Sequence, residues 1–150
     1  MAPLLNAALE DTRALGSDRE ITATIKRCDD ITLHGDRHRL RQLLIILCDN
    51  AVKYNSSHGT ITLEFYAETE MGVLRIANTG PGIPATEQPY VFERFRRGAI
   101  AAASGVTGSG LGLSIAQWIV QAHGGSISVS TQPNHTEFTA RLPRQKAPGA

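Results

Sequence analysis

The chain has 150 residues, 41% of them hydrophobic, and its fifteen basic and fourteen acidic side chains leave a formal net charge of +1. That length supports one well-buried core and is too short for two ordinary domains, so a single domain over residues 1–150 is expected. The balance of charge offers no field for nucleic acid or an anionic membrane, and the longest aliphatic run, Leu43 to Cys48, is far below the ~20 residues that span a bilayer.

Residues 3–15 predict a helix with Leu4, Leu5, Ala8, Leu9 and Leu15 near one face, broken by Gly16-Ser17. A strand is expected from Glu20 to Ile25. Asp36 suits the N-cap of a second helix, in which Leu40, Leu43, Leu44, Leu47, Ala51 and Tyr54 recur at three- and four-residue spacings and so face a sheet. Ile61, Leu63 and Phe65 alternate with polar residues, while Leu74, Ile76 and Asn78 share one parity in the run from Val73. Two half-buried antiparallel strands follow, with Asn78 turned inward. Ala99 to Gly110, small residues without periodicity, is expected to be mobile. A third helix from about Leu111 to His123, with Leu111, Ile115, Ile119 and Ala122 on one face, stops at Gly124-Gly125. Ile127 to Thr131 and Thr136 to Leu142 then form a closing hairpin, and residues 143–150 are expected to fray. Cys28 and Cys48 lack a C-x-x-C pairing or a histidine at ligand spacing, and read as reduced, buried thiols.

Asn50 lies seven residues after Leu43 and four before Tyr54, which puts a carboxamide in the apolar stripe of the second helix. Burial obliges it to find a partner: either a neighbouring backbone group, or an ion such as Mg²⁺, which takes hard oxygen donors and shares them with phosphates. Asn78-Thr79-Gly80-Pro81-Gly82-Ile83 sets two glycines behind an inward polar residue, either as a strand-to-loop turn or to let backbone approach a flat ligand. Gly108-Ser109-Gly110-Leu111-Gly112-Leu113 opens a helix, where free amides and the helix dipole suit phosphate oxygens. No strand immediately precedes it, so it is not a dinucleotide fingerprint, and no P-loop is present.

Taken in order, Asp49-Asn50-Ala51-Val52-Lys53-Tyr54, Asn78 to Ile83, Phe92-Glu93-Arg94-Phe95-Arg96-Arg97 and Gly108 to Leu113 resemble the N, first glycine, F and second glycine boxes of sensor histidine kinases. The likeness continues through His123-Gly124-Gly125 and Thr136-x-Phe138, covering about Gly35 to Pro143. It implies the Bergerat-type ATP-binding fold, an α/β (α+β) two-layer sandwich whose mixed, mainly antiparallel sheet carries helices on one face. It further implies that Asn50 ligates Mg²⁺ on the phosphates of ATP, that Lys53 approaches those phosphates and that Tyr54 packs near adenine. Asn78 would meet the adenine amino group beside Gly80, Gly82 and Ile83, and Thr136 would assist through water. Gly108, Gly110, Leu111, Gly112 and Leu113 would form the phosphate lid, Phe92 and Phe95 would anchor it, and Arg97 would reach the terminal phosphate. Without the resemblance, Lys53 and Arg97 read as surface charges, and Tyr54, Phe92 and Phe95 as core.

The chain departs from the family pattern at two positions. Asn78 stands where Asp is usual, and Ile46 stands one turn before Asn50, where the family often has a polar residue and the hydrolytic relatives a water-activating Glu. Ile46 cannot act as a base, so autonomous ATP hydrolysis is expected to be poor. The Asn78 amide is expected to keep adenine binding in weaker form and, by rotating, to relax discrimination against guanine. His34, His38, His58, His123 and His135 all lack the family's phospho-acceptor setting; His123 reads as a helix-end cap and the others as surface residues. The expected function is therefore to bind Mg-ATP and donate its γ-phosphoryl group to a histidine on a separate dimerisation domain of the same full-length protein, upstream of a response regulator. A cytoplasmic, monomeric unit without a nucleic-acid partner is implied, compatible with an inner-membrane anchor elsewhere in the protein. The alternatives are a catalytically weak, nucleotide-binding regulatory module and a gyrase- or chaperone-type ATPase, the latter disfavoured by Ile46 and the F box.

Overall fold

The computed structural model describes residues 1–33, 35–81, 86, 88–93 and 112–144. Among these, the apolar stripes form helices α1 (Ala2–Gly16), α2 (Arg37–Lys53) and α3 (Gly112–Ala122). Strands β1 (Thr22–Cys28), β2 (Thr60–Glu68), β3 (Met71–Asn78), β4 (Ser126–Gln132) and β5 (His135–Pro143) make one sheet in the order β1-β2-β3-β5-β4. β1 runs parallel to β2 and the other neighbours are antiparallel. The sheet is thus mixed and mainly antiparallel, with the helices on one face, as expected.

The sequence sets α2 at both ends. The Asp36 carboxylate accepts the His38 and Arg39 amides at 2.8 and 3.2 Å, satisfying donors that the first turn leaves free. Those bonds, led by that from Arg39, hold its carboxyl below the usual range. At the other end the Arg19 guanidinium, from the 3-10 turn Ser17–Arg19, donates to the carbonyls of Val52 and Asn55. Between the caps Leu40, Leu43, Leu44, Leu47 and Ala51 are buried against the sheet. Ile61, Leu63 and Phe65 of β2 pair with Asn78, Ile76 and Leu74 of β3, and Phe138 of β5 lies opposite Ile76, so the buried side chains stack row upon row under α2.

Several expectations are corrected. In α1 the buried face is Leu5, Ala8, Leu9, Thr12 and Gly16, and Leu15 is exposed. Thr12 can replace it there because its hydroxyl donates to the Ala8 carbonyl at 2.6 Å on its own helix. β1 begins at Thr22 rather than Glu20, which turns into the left-handed region at φ 55°, and it runs on to Cys28. Cys28 is exposed there; Cys48 is buried as expected, and burial pushes its thiol up to about 11. In α3 the buried residues are Ala116, Ile119 and Val120, whereas Ala122 is exposed. Ser114, Gln117 and Gln121 recur on the opposite side, so the apolar arc is wide and Ala122 falls at its exposed edge. The segment Ala99 to Gly110 and residues 145–150 of the tail lie outside the described residues, as does His34; His38, His58 and His135 are exposed. Among the described residues no helix is long and apolar enough to cross a membrane.

Leu47 and Ile45 are neighbours on α2 with opposite fates, 0% and 46% exposed. Leu47→Ala should lower the unfolding free energy by about 2–5 kcal/mol, and Ile45→Ala by less than about 0.5 kcal/mol. Urea unfolding of the two variants checks this; equal losses would contradict the orientation of α2 on the sheet.

Candidate functional site

The strand register brings Ile61, Asn78, Thr136 and Thr131 side by side across β2, β3, β5 and β4. Asn78 and Thr136 are 4% and 5% exposed, so the parity that turned Asn78 inward holds. The Asn78 Nδ2 donates to the Thr79 carbonyl at 2.8 Å, while its Oδ1 accepts no hydrogen bond from the described residues. That oxygen is not sealed from solvent, so it is an acceptor that a donor from outside the described residues can reach. The Thr136 and Thr131 hydroxyls stand 3.2 Å apart beside it.

The turn after Asn78 is tied down from three sides. The Thr79 hydroxyl donates to Asn55 Oδ1 at 2.7 Å and accepts the Thr60 amide at 2.9 Å. Asn55, itself buried, also accepts the Ser56 amide and donates to the Thr60 carbonyl at 3.1 Å. Gly80 has φ 118°, and a Cβ there would stand 2.5 Å from the Tyr54 carbonyl oxygen, so only glycine lets this turn lie against the end of α2. The Gly80 amide donates to Asn134 Oδ1, in the β4–β5 turn, at 3.0 Å. Of these residues the sequence reading found Gly80 and missed Asn55, Thr79 and Asn134. A signal for Asn55 was there, an Asn just past a helix end beside Ser56, Ser57 and Gly59; for Asn134 no local pattern points to Gly80.

Asn50 lies one turn before Tyr54, whose amide donates to its carbonyl at 3.1 Å. Its side chain is half-buried, at the margin of the stripe rather than within it, because α2 turns that edge toward the start of α3. Among the described residues the carboxamide has no hydrogen-bond partner, so it is not the backbone-satisfied asparagine of the simpler reading. Ile46, one turn earlier, is the neighbour of Gly112: a Cβ on that glycine would stand 3.6 Å from Ile46 Cγ2, an ordinary contact. Packing there does not demand a glycine. Leu113 packs on the core. At the far end of α3, His123 Nε2 accepts the Asp36 amide at 3.0 Å, and Nδ1 is 2.8 Å from the Ile119 carbonyl. An amide can only donate, so the ring is neutral with its hydrogen on Nδ1. The helix-end histidine therefore caps α3 and also holds the start of α2.

Lys53 is exposed, with Nζ 3.0 Å from the Asp49 carboxylate one turn earlier. Tyr54 is half-buried at the α2 C-cap, and Phe92 packs edge-on to Phe138 with ring centres 6.1 Å apart. Gly82, Ile83, Phe95, Arg97, Gly108, Gly110 and Leu111 lie outside the described residues. No group of three His, Cys, Asp or Glu side chains suited to a metal occurs among the described residues. A magnesium ion bound mainly through phosphates and water needs only one or two protein oxygens, and the partnerless Asn50 carboxamide fits that demand.

A mixed sheet under one layer of helices, with a glycine turn pressed to a helix terminus at one sheet end, defines a two-layer α/β sandwich. Residues 35–146 match the family described as histidine kinase-, DNA gyrase B-, and HSP90-like ATPase, and the chain belongs to that family. It is 35% identical over 143 residues to the Mycobacterium tuberculosis protein named "Probable sensor histidine kinase TcrY", covering 95% of this chain and 30% of that one. It is 40% identical over 114 residues to the signal transduction histidine-protein kinase ArlS of Staphylococcus epidermidis, covering 75% and 25%. The chain thus spans less than a third of the length of these curated relatives. Among solved structures it superposes on the mycobacterial sensor histidine kinase MprB with a TM-score of 0.84 at 31% identity, over 98% of this chain and 97% of that one. Full-length ShkA, whose structure is a complex with AMPPNP, gives a TM-score of 0.84 at 27% identity, over 97% of this chain and 30% of that one.

Asn55→Ala leaves the Thr79 hydroxyl, the Ser56 amide and the Thr60 carbonyl without their partner, and should lower stability by about 2 kcal/mol. Urea unfolding measures it; a loss below about 0.5 kcal/mol, the scale of an ordinary surface change, would remove Asn55 from the tie between α2 and the turn.

Proposed function

We propose that this chain is the cytoplasmic ATP-binding catalytic domain of a sensor histidine kinase, and that it donates the γ-phosphoryl group of Mg-ATP to a histidine on a separate dimerisation domain of the same protein, upstream of a response regulator. The observation that carries the reading is Asn78 on the buried side of β3 beside Thr136, its Oδ1 accepting no hydrogen bond from the described residues, at the end of the sheet where the glycine turn meets α2. An amide oxygen accepts the 6-amino hydrogen of adenine, and the neighbouring threonine hydroxyls suit a bridging water.

Asn50 offers an oxygen on α2 that is suited to the metal and takes no partner among the described residues. Bound there, Mg²⁺ would offset charge on the phosphates. Lys53 must leave Asp49 to approach the same phosphates, a small cost for an exposed pair. The roles of Gly82, Ile83, Arg97, Gly108, Gly110 and Leu111 rest on the resemblance alone. Catalysis on this chain is positioning and charge stabilisation, since the nucleophilic histidine lies elsewhere. Ile46, one turn before Asn50 and beside Gly112, offers no carboxylate to activate water, which favours transfer over hydrolysis.

Binding of an ATP analogue should depend on Mg²⁺, and Asn50→Ala should weaken it by about tenfold or more, the scale of 1.4 kcal/mol. Calorimetry with and without EDTA tests this, and affinity that survives both treatments removes Asn50 from the metal site. With labelled ATP, the isolated chain should acquire no acid-labile phosphate of its own and should label a separately supplied cognate histidine domain. Binding without transfer would favour the regulatory-module reading, and steady phosphate release without an acceptor would favour the ATPase one.

A further inference from the structure

The Thr79–Gly80 peptide is held at both ends by asparagine side chains. Its carbonyl accepts from Asn78 Nδ2 at 2.8 Å, and its amide donates to Asn134 Oδ1 at 3.0 Å. A trans peptide directs these two groups oppositely, so whatever fixes one fixes the other. On the near side Thr79 is already immobilised: its own amide donates to the Thr60 carbonyl at 3.1 Å and its hydroxyl is bonded to Asn55. On the far side Gly80, at φ 118°, has the freedom to let the plane swing over. Asn134 is the side chain that holds the amide in place. It is exposed, and takes φ 58° in the β4–β5 turn, a conformation that Asn tolerates.

The consequence falls on Asn78. With the peptide as it stands, Nδ2 is committed to the Thr79 carbonyl, and turning the carboxamide would bring Oδ1 against that carbonyl, oxygen to oxygen. The rotation expected from sequence is therefore opposed, and Oδ1 remains the free acceptor. Were the peptide to swing over, its amide would face Asn78 instead. Oδ1 would then be drawn to it and Nδ2 released to donate, which suits a 6-oxo purine.

We infer that Asn134, acting through the Thr79–Gly80 peptide, is a positioning residue that fixes Asn78 as a hydrogen-bond acceptor and so makes the site select 6-amino over 6-oxo purine nucleotides. The inference rests on the proposed nucleotide site. ADP and IDP probe it, because on the purine ring they differ at position 6 and its adjoining N1 proton, and IDP lacks the 2-amino group of guanine. The unaltered chain should prefer ADP by at least about tenfold, since the wrong base leaves two acceptors facing each other. Asn134→Gly removes the acceptor while tolerating the positive φ; it should narrow the ADP-over-IDP ratio by about fivefold, with the melting temperature held. Asn134→Asp keeps an oxygen for the Gly80 amide and should restore the ratio. Calorimetric dissociation constants for both nucleotides decide the matter. If the unaltered chain binds neither nucleotide, the proposed function fails and this inference with it. If it binds ADP but IDP equally well, or if Asn134→Gly keeps the full ratio, the inference alone is overturned.

Discussion

The end of α2 and the turn after β3 touch backbone to backbone, with the Tyr54 carbonyl so near Gly80 that a single methyl group could not fit between them. Much of the site depends on that contact. It sets the helix bearing Asn50 against the strand bearing Asn78, two residues 28 positions apart in the chain. Apolar packing alone would leave this approach loosely defined, because burial has no direction. Hydrogen bonds give it one: Asn55 joins Thr79 and Thr60, and Arg19 reaches in to cap the carbonyls at the end of α2.

The opposite ends of the helices are held by a different device. His123, neutral and hydrogen-bonded on both ring nitrogens, links the last turn of α3 to the first amide of α2. Gly35 is required there, since a Cβ would run into the imidazole ring. Together the two ties make α2 and α3 a frame, in which Gly112 lies beside Ile46, itself one turn before Asn50.

Site legibility followed the range of the interaction. Asn78 was readable because strand parity is local and its neighbours Leu74 and Ile76 are strongly apolar; Gly80 was readable because two glycines behind an inward polar residue signal close approach. The order of the four boxes identified the family before any geometry was known. Asn134 was invisible, since its bond to Gly80 spans 54 residues and no spacing rule connects a hairpin turn to a glycine box. Leu15 and Ala122 lie at the exposed edges of wide apolar arcs, where the neighbouring elements, not the period, decide what is covered.

The sequence by itself determined the helices and strands, the caps at Asp36 and Gly124, the inward turn of Asn78 and membership of the ATPase family, all of which follow from local propensity, period and motif. The tertiary structure alone decided which atom of Asn78 accepts nothing from the described residues, that Asn50 sits half-buried without a partner among them, and that the His123 hydrogen lies on Nδ1. Those properties belong to pairs of groups brought together from distant parts of the chain. A hydrogen bond depends on ångström-scale distance and on direction, and neither exists until the fold has placed both partners.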